Sequence, residues 1–416
     1  MASPGSSHLK MLSPLIDLTT DGVTDGPMRG QSSQRTRSSG PIWLPKLEGV
    51  DWDAKEEEHR RTRAKTVVGH ALDNSKFKKS ESSWEVDAWS DVFSQMRDDP
   101  IIAADKREYR ETRIHRIKGK PTFIRCVPDA TFGLSTFSEN RKLDYKCYNN
   151  DRYPFIEVSD YDKDFATREL DKTRLEALAI HRKCGLLADP SWGEADLVFP
   201  FAVYEAKSSN ATCGQADFQV EKATLVYLRM LDHLARKPGA KALHEENLYQ
   251  TLDSGSFQTF TLTSIGPEWS VMVGYRRALR PQDSNVPNWL RTGRGNDVYR
   301  IDAIWNGKVT NERKAWELLS IVDQIHHWAI TKHRDFVIRH VREWHEFCEE
   351  CHRQDAIKLW LSSGPYKKRH TAAASRARRQ GLRGLRLADW TEYLGSEAHN
   401  KIRRRAIEIA QDLQRV

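Results

Sequence analysis

Asp196-Leu197-Val198-Phe199-Pro200-Phe201-Ala202-Val203-Tyr204-Glu205-Ala206-Lys207 is the stretch whose reading decides the fold. Its aromatic and β-branched residues predict a strand. Side chains alternate along a strand, so Phe199, Phe201, Val203, Glu205 and Lys207 are expected on one side. Val198, Ala202, Tyr204 and Ala206 are expected on the other. Both sides are apolar, which predicts a central strand covered on both faces. Yet a carboxylate and an ammonium stand together on one face at its end. Burying either charge alone costs several kcal/mol, so the pair needs a reason. It is either an ion pair at a solvated strand end or a metal-binding carboxylate beside a lysine that handles water.

Working outward, Thr122–Val127 reads as a strand that stops at Pro128-Asp129, and an amphipathic helix is predicted at about 168–184. After the central strand, residues 208–214 read as a loop and 215–236 as a helix, with Gln215 and Gln219 on one face. Strands are predicted near 257–264, 269–276 and 298–304, and a long helix over 311–360. Upstream, Ser83 is the expected cap of a helix that turns Trp84, Ala88, Val92 and Phe93 inward. Alternating strands and helices point to an α/β layered domain. Asp129 and Glu205 on neighbouring strand ends would be hard oxygen ligands suited to Mg²⁺ or Mn²⁺ with retained waters. Asp196 competes with Asp129 as the first ligand.

The order Val127-Pro128-Asp129, then Phe199-Pro200-Phe201-Ala202-Val203-Tyr204-Glu205-Ala206-Lys207-Ser208, then a helix bearing Gln, resembles the PD-(D/E)xK nuclease superfamily. Pro128-Asp129-Ala130-Thr131-Phe132-Gly133-Leu134 looks like the nuclease-like domains common in fungal proteins. The resemblance covers roughly residues 83–345. It implies a restriction-endonuclease-like core, with a central mixed sheet flanked by helices and a C-terminal helical extension. It also implies a nuclease that hydrolyses phosphodiester bonds of DNA or RNA. Asp129 and Glu205 would hold the metal, Lys207 would assist water, and Gln219 would join from the helix. Glu85, on the first helix, is the candidate for an additional acidic ligand. The 76 positions between Asp129 and Glu205 exceed the spacing usual in that superfamily, so the helix between them would be an insertion. A nuclease fold that binds nucleic acid without cutting it is the alternative.

Composition sets the surroundings. The 416 residues carry 66 Lys and Arg against 58 Asp and Glu, a net charge of +8. From Thr331 onward there are 19 basic and 11 acidic residues, so that stretch supplies the whole excess. Lys367, Lys368, Arg369, Arg376, Arg378 and Arg379 are the candidate nucleic-acid arm or nuclear-import signal, with plain solvation as the alternative. Thirteen Trp residues argue for a packed interior, and six scattered Cys for reduced thiols. No apolar run approaches the length of a membrane span, and an intracellular, possible nuclear, setting is expected. Residues 1 to about 40 read as a disordered tail. Within it, Leu15-Ile16-Asp17-Leu18 resembles a SUMO-interacting strand, though a few apolar residues in a tail would look the same. The expected organisation is a tail and charged connector over 1–80, a nuclease-like domain over 81–345, and a basic helical extension over 346–416.

His345-x-x-Cys348-x-x-Cys351-His352 offers four zinc-ligand side chains. On one continuous helix, however, Cys351 and His352 point in different directions, and no second CxxC closes a tetrahedral set. The sequence reading therefore assigns no zinc there. His326, His327, His333 and His340 read as satisfied or solvent-facing helix positions.

Overall fold

A computed structural model describes residues 40–114, 121–136, 169–181, 183–191, 197–209, 213–239, 248–281, 283, 286, 290–291 and 297–362. The SUMO-like segment Leu15–Leu18, Asp196, and the basic residues Lys367–Arg379 lie outside the described residues. The chain is α/β, built on a six-stranded mixed sheet flanked by helices.

Helix α1 (Glu58–Lys76) and helix α2 (Glu81–Asp87) come first. A π turn at Ala88–Val92 and the short helix α3 (Ser94–Arg97) follow. Strand β1 (Ile102–Asp105), the hairpin β2 (Tyr109–Ile114) and β3 (Pro121–Cys126), and β4 (Ala130–Ser135) come next. After helix α4 (Lys172–Ile180) come β5 (Leu197–Lys207), α5 (Cys213–Ala235), β6 (Gln258–Ile265), β7 (Glu268–Ala278) and β8 (Asp297–Lys308). Helix α6 (Glu312–Trp328), a π turn, and helix α7 (Arg334–Ser362) close the described chain.

The strand order is β1-β4-β5-β6-β7-β8, with β2 and β3 forming a sheet of their own. β5 and β6 run parallel and every other neighbouring pair is antiparallel. The parallel pair needs a crossover, which α5 supplies. β5 is buried along its length until Lys207, as a central strand must be. Adjacent residues serve opposite faces: Val203 packs with Val220, Ala223 and Tyr227 of α5, while Tyr204 packs with Phe93 and Trp269. Upstream the expected alternation breaks. Phe199 has φ 46°, unusual for a bulky residue, and the β4–β5 register shifts between Phe132 and Leu134. Phe201 consequently joins the cluster of Ala202 and Tyr204, while Phe199 packs with Val198 and Leu134.

The packed body begins well before residue 81. Ala64, Val67 and Ala71 of α1 are buried in the core cluster that holds Trp316 and Leu319. Arg60 and Arg63 of α1 both reach Asp323 of α6. Further upstream, Gln258 grips the chain through Ile42 N, Trp43 N and Trp43 O, at 2.8–3.1 Å. Trp43 stacks on Trp328 with ring centroids 5.9 Å apart. Trp84, Ala88, Val92 and Phe93 are buried as expected, but their helix opens after Ser80 rather than at Ser83. The long helix expected over 311–360 is two helices joined by the π turn Ala329–His333. No described helix is long and apolar enough to cross a membrane.

Candidate active site

Three strand ends meet beside α2. β1 is antiparallel to β4, with Asp105 opposite Thr131, so the residue after β1 lies near the start of β4. β4 is antiparallel to β5, with Ala130 opposite Tyr204, so that start lies beside the end of β5. Asp129 therefore opens the strand that pairs with β5, rather than closing the strand before it as the sequence reading expected. The reason is that Thr122–Cys126 belongs to the separate β2–β3 pair, and the chain bends at Asp129 before it enters the main sheet. The consequence for Asp129 is the one expected: it stands next to Glu205 and Lys207. The long connection between β4 and β5 carries α4, as the spacing implied.

Asp129 is fixed by backbone. Its Oδ2 accepts a hydrogen bond from the Ala206 amide at 2.8 Å. Burial pushes its carboxyl above the ordinary 3.8, against the Ala206 hydrogen bond, and the charge of Glu85 pushes the same way. Glu205 is buried, and its Oε1 accepts from Lys207 Nζ at 2.7 Å. Its Oε2 is buried with no partner among the described residues. Burial, and then the charge of Asp129, hold the Glu205 carboxyl above its usual 4.5 despite Lys207.

Lys207 donates to Glu205 Oε1, to Glu81 Oε1 at 3.1 Å and to the Ala206 carbonyl at 2.9 Å. Burial opposes its charge, but the hydrogen bond and charge of Glu205, with Glu81, raise it above the usual lysine value. It is the counter-charge of Glu205 in this arrangement. Lys106 sits 2.6 Å from the Glu85 carboxylate and 3.7 Å from Asp129 Oδ1. Its proton is held chiefly by the hydrogen bond to Glu85.

Four carboxylates (Glu81, Glu85, Asp129, Glu205) thus meet two ammonium groups (Lys106, Lys207). The structure brings Glu85 to the cluster together with Asp129, Glu205 and Lys207. It does not bring Gln219, whose side chain is exposed on α5 and makes none of these hydrogen bonds; its carbonyl accepts from Tyr109 Oη instead. Sequence reasoning missed Glu81 and Lys106. Glu81 was findable, four residues before Glu85 and so on the same helix face. Lys106 follows a strand of four residues that gave no periodic signal.

The residues suit a divalent cation on two counts. An orphaned buried carboxylate oxygen costs about 1–3 kcal/mol unless something meets it. The charge of Asp129 also raises the Glu205 carboxyl, and that of Glu85 raises Asp129, the mark of negative charge crowded at one place. Asp129, Glu205 and Glu85 would be the ligands.

Four histidines of the C-terminal helices (His326, His333, His340 and His345) are buried and hydrogen-bonded. His326 meets Asp99 at 2.7 Å, and His333 and His345 donate to the carbonyls of Phe199 and Glu169. His340 meets Ser254 Oγ at 2.7 Å, and His327 is exposed. Compared with known proteins, the chain matches no family model, no curated protein and no solved structure.

Proposed function

We propose that this chain is a metal-dependent nuclease of the PD-(D/E)xK type, hydrolysing phosphodiester bonds in DNA or RNA with Mg²⁺ or Mn²⁺. The observation that carries the reading is the buried, unpartnered Glu205 Oε2 beside Asp129, with Lys207 on the same strand end. A divalent cation bound there would neutralise phosphate charge and lower the pKa of a water. The chain's own residues do the rest. Ala206 orients Asp129 through its amide, and β5 fixes Glu205 at a strand end. Lys207 stabilises negative charge developing on the phosphate or orients the attacking water. For Lys207 to do so, its contact with the more exposed Glu81 has to open. The basic residues from Thr331 onward would add a salt-sensitive attraction to the polyanion.

A second reading is a nuclease fold that binds nucleic acid without cutting it. It is favoured by Lys207 itself, whose three N–H groups already have three acceptors. Calorimetric titration with Mg²⁺ and Mn²⁺, on the parent and on Glu205→Gln, separates the two readings when paired with cleavage of labelled single- and double-stranded substrates. Metal binding and cutting that both vanish in the variant are expected. Metal-independent binding that survives Glu205→Gln and collapses with salt would establish the second reading instead.

A further inference from the structure

Far from the strand ends, a second group of ligand side chains converges where α4 meets α7. Helix α4 ends at His181, whose backbone leaves the helix at ψ 126°. The carbonyl of His181 then accepts from the amides of Cys184 and Gly185. Gly185 has φ 62°, which makes a tight knuckle with His181 and Cys184 at its two corners. Opposite it, Cys348 and His352 lie one turn apart on α7 and so share a face.

The four side chains meet around the Cys348 thiol. His181 Nδ1 lies 3.1 Å from Cys184 Sγ, and Cys348 Sγ lies 3.8 Å from His352 Nδ1. The Cys184 and Cys348 thiols are near neighbours. The ligand atoms of His181, Cys348 and His352 all lie within 4.8 Å of one another. The two imidazoles meet edge to face with centroids 4.7 Å apart.

We propose that His181, Cys184, Cys348 and His352 form a structural Zn²⁺ site. With Zn–S near 2.3 Å and Zn–N near 2.0–2.1 Å, the edges of a tetrahedral Cys₂His₂ site run roughly 3.3–3.8 Å. Within His181, Cys348 and His352 the observed separations need a contraction of at most about 1 Å, and the Cys184 thiol has to move in toward the same point. Two thiolates on a divalent ion leave no net charge, which suits a site whose two cysteines are both buried. Four protein ligands leave no open position, so the ion is structural rather than catalytic. It would staple the excursion between β4 and β5 to the last helix, where Arg174 already reaches Glu349 and Arg342 lies near Glu169. The set differs from the one weighed in the sequence: His345 and Cys351 are not in it, and the pair that joins Cys348 and His352 is His-x-x-Cys instead of Cys-x-x-Cys.

The test is elemental analysis of the full chain, purified from cells under reducing conditions without chelator. Stoichiometric zinc is expected, lost in Cys348→Ser and retained in Glu205→Gln. Where Cys348→Ser fails to fold, exchange of the parent to Co²⁺ decides, through the visible bands of a tetrahedral thiolate site. A parent without zinc or a cobalt spectrum overturns the proposal. So does a Cys184–Cys348 disulfide in the protein as isolated from cells, or undiminished zinc in a folded Cys348→Ser.

Discussion

The Ala206 amide donates to Asp129 Oδ2 at 2.8 Å, so the strand that carries Glu205 and Lys207 also holds the first carboxylate in place. Three residues of one strand end thus set three parts of the candidate site.

Glu205 is the residue whose loss is expected to separate function from folding. Glu205→Gln should abolish metal binding and cleavage while leaving the native fold intact. At a hundredfold excess over Kd, Mg²⁺ should stabilise the parent by about 2.7 kcal/mol and leave the variant unchanged. Thermal melts with and without metal read this directly.

The pH dependence without metal carries a definite sign. Burial raises the carboxyls of Asp129 and Glu205 above 3.8 and 4.5, so the folded state holds their protons more tightly than the unfolded state. Their contribution to stability is present below the ordinary carboxylate range and declines as pH rises through the folded values. Glu205→Gln should flatten that decline, measured as the urea midpoint against pH. A steeper decline in the variant would refute it.

Lys207 is expected to behave differently from Glu205. Removing it leaves Glu205 buried without a counter-charge, so Lys207→Met should cost roughly 3 kcal/mol. Adding Glu205→Gln should recover most of that loss and none of the activity. A double-mutant cycle in urea measures the coupling.

The histidines impose the opposite slope between about pH 4 and 6.5. Burial presses His233, His333 and His340 down to about 4, from 6.5 in the unfolded chain. Stability is therefore expected to fall as pH drops from about 6.5 toward 4, because the unfolded state takes up protons first. His333→Gln should remove part of that slope in the same titration.

Two glycines should respond oppositely to alanine. At Gly133 a Cβ would stand 2.6 Å from Leu197 Cδ2 and 2.8 Å from the Val198 carbonyl, so Gly133→Ala should cost about 1–3 kcal/mol. At Gly69, exposed within α1 and with nothing within 4 Å, alanine should stabilise by about 0.5–1 kcal/mol. Chemical denaturation of both variants settles the pair.

The strand ending in Glu205-Ala206-Lys207 was legible because its apolar run and turn-bounded ends are local signals. α5 and strands β6 to β8 were legible for the same reason. The packing of α1 was not: a helix was one reading of the charged connector, but its buried face is small residues (Ala64, Val67, Ala71) set among charges, and only their contact with α6 shows what they do. The side of the turn on which Asp129 lies was also hidden, because Pro128-Asp129 can close one strand or open the next. His181 and Cys184 share no period with Cys348 and His352, so their meeting is purely tertiary. A chain cut to begin at residue 81, the boundary that the charged composition suggests, should lose α1 and the Trp43 clamp and fail to fold.

Ser135 at the end of β4 sits opposite Leu197 at the start of β5. The chain therefore departs from the sheet and returns to it at points about one ladder spacing apart, near 4.8 Å. Closing such an excursion costs only slowly more as it lengthens. A change of length in that segment, outside α4 and the buried stretch 184–191, would leave Asp129 and Glu205 in register at the other end of the same two strands.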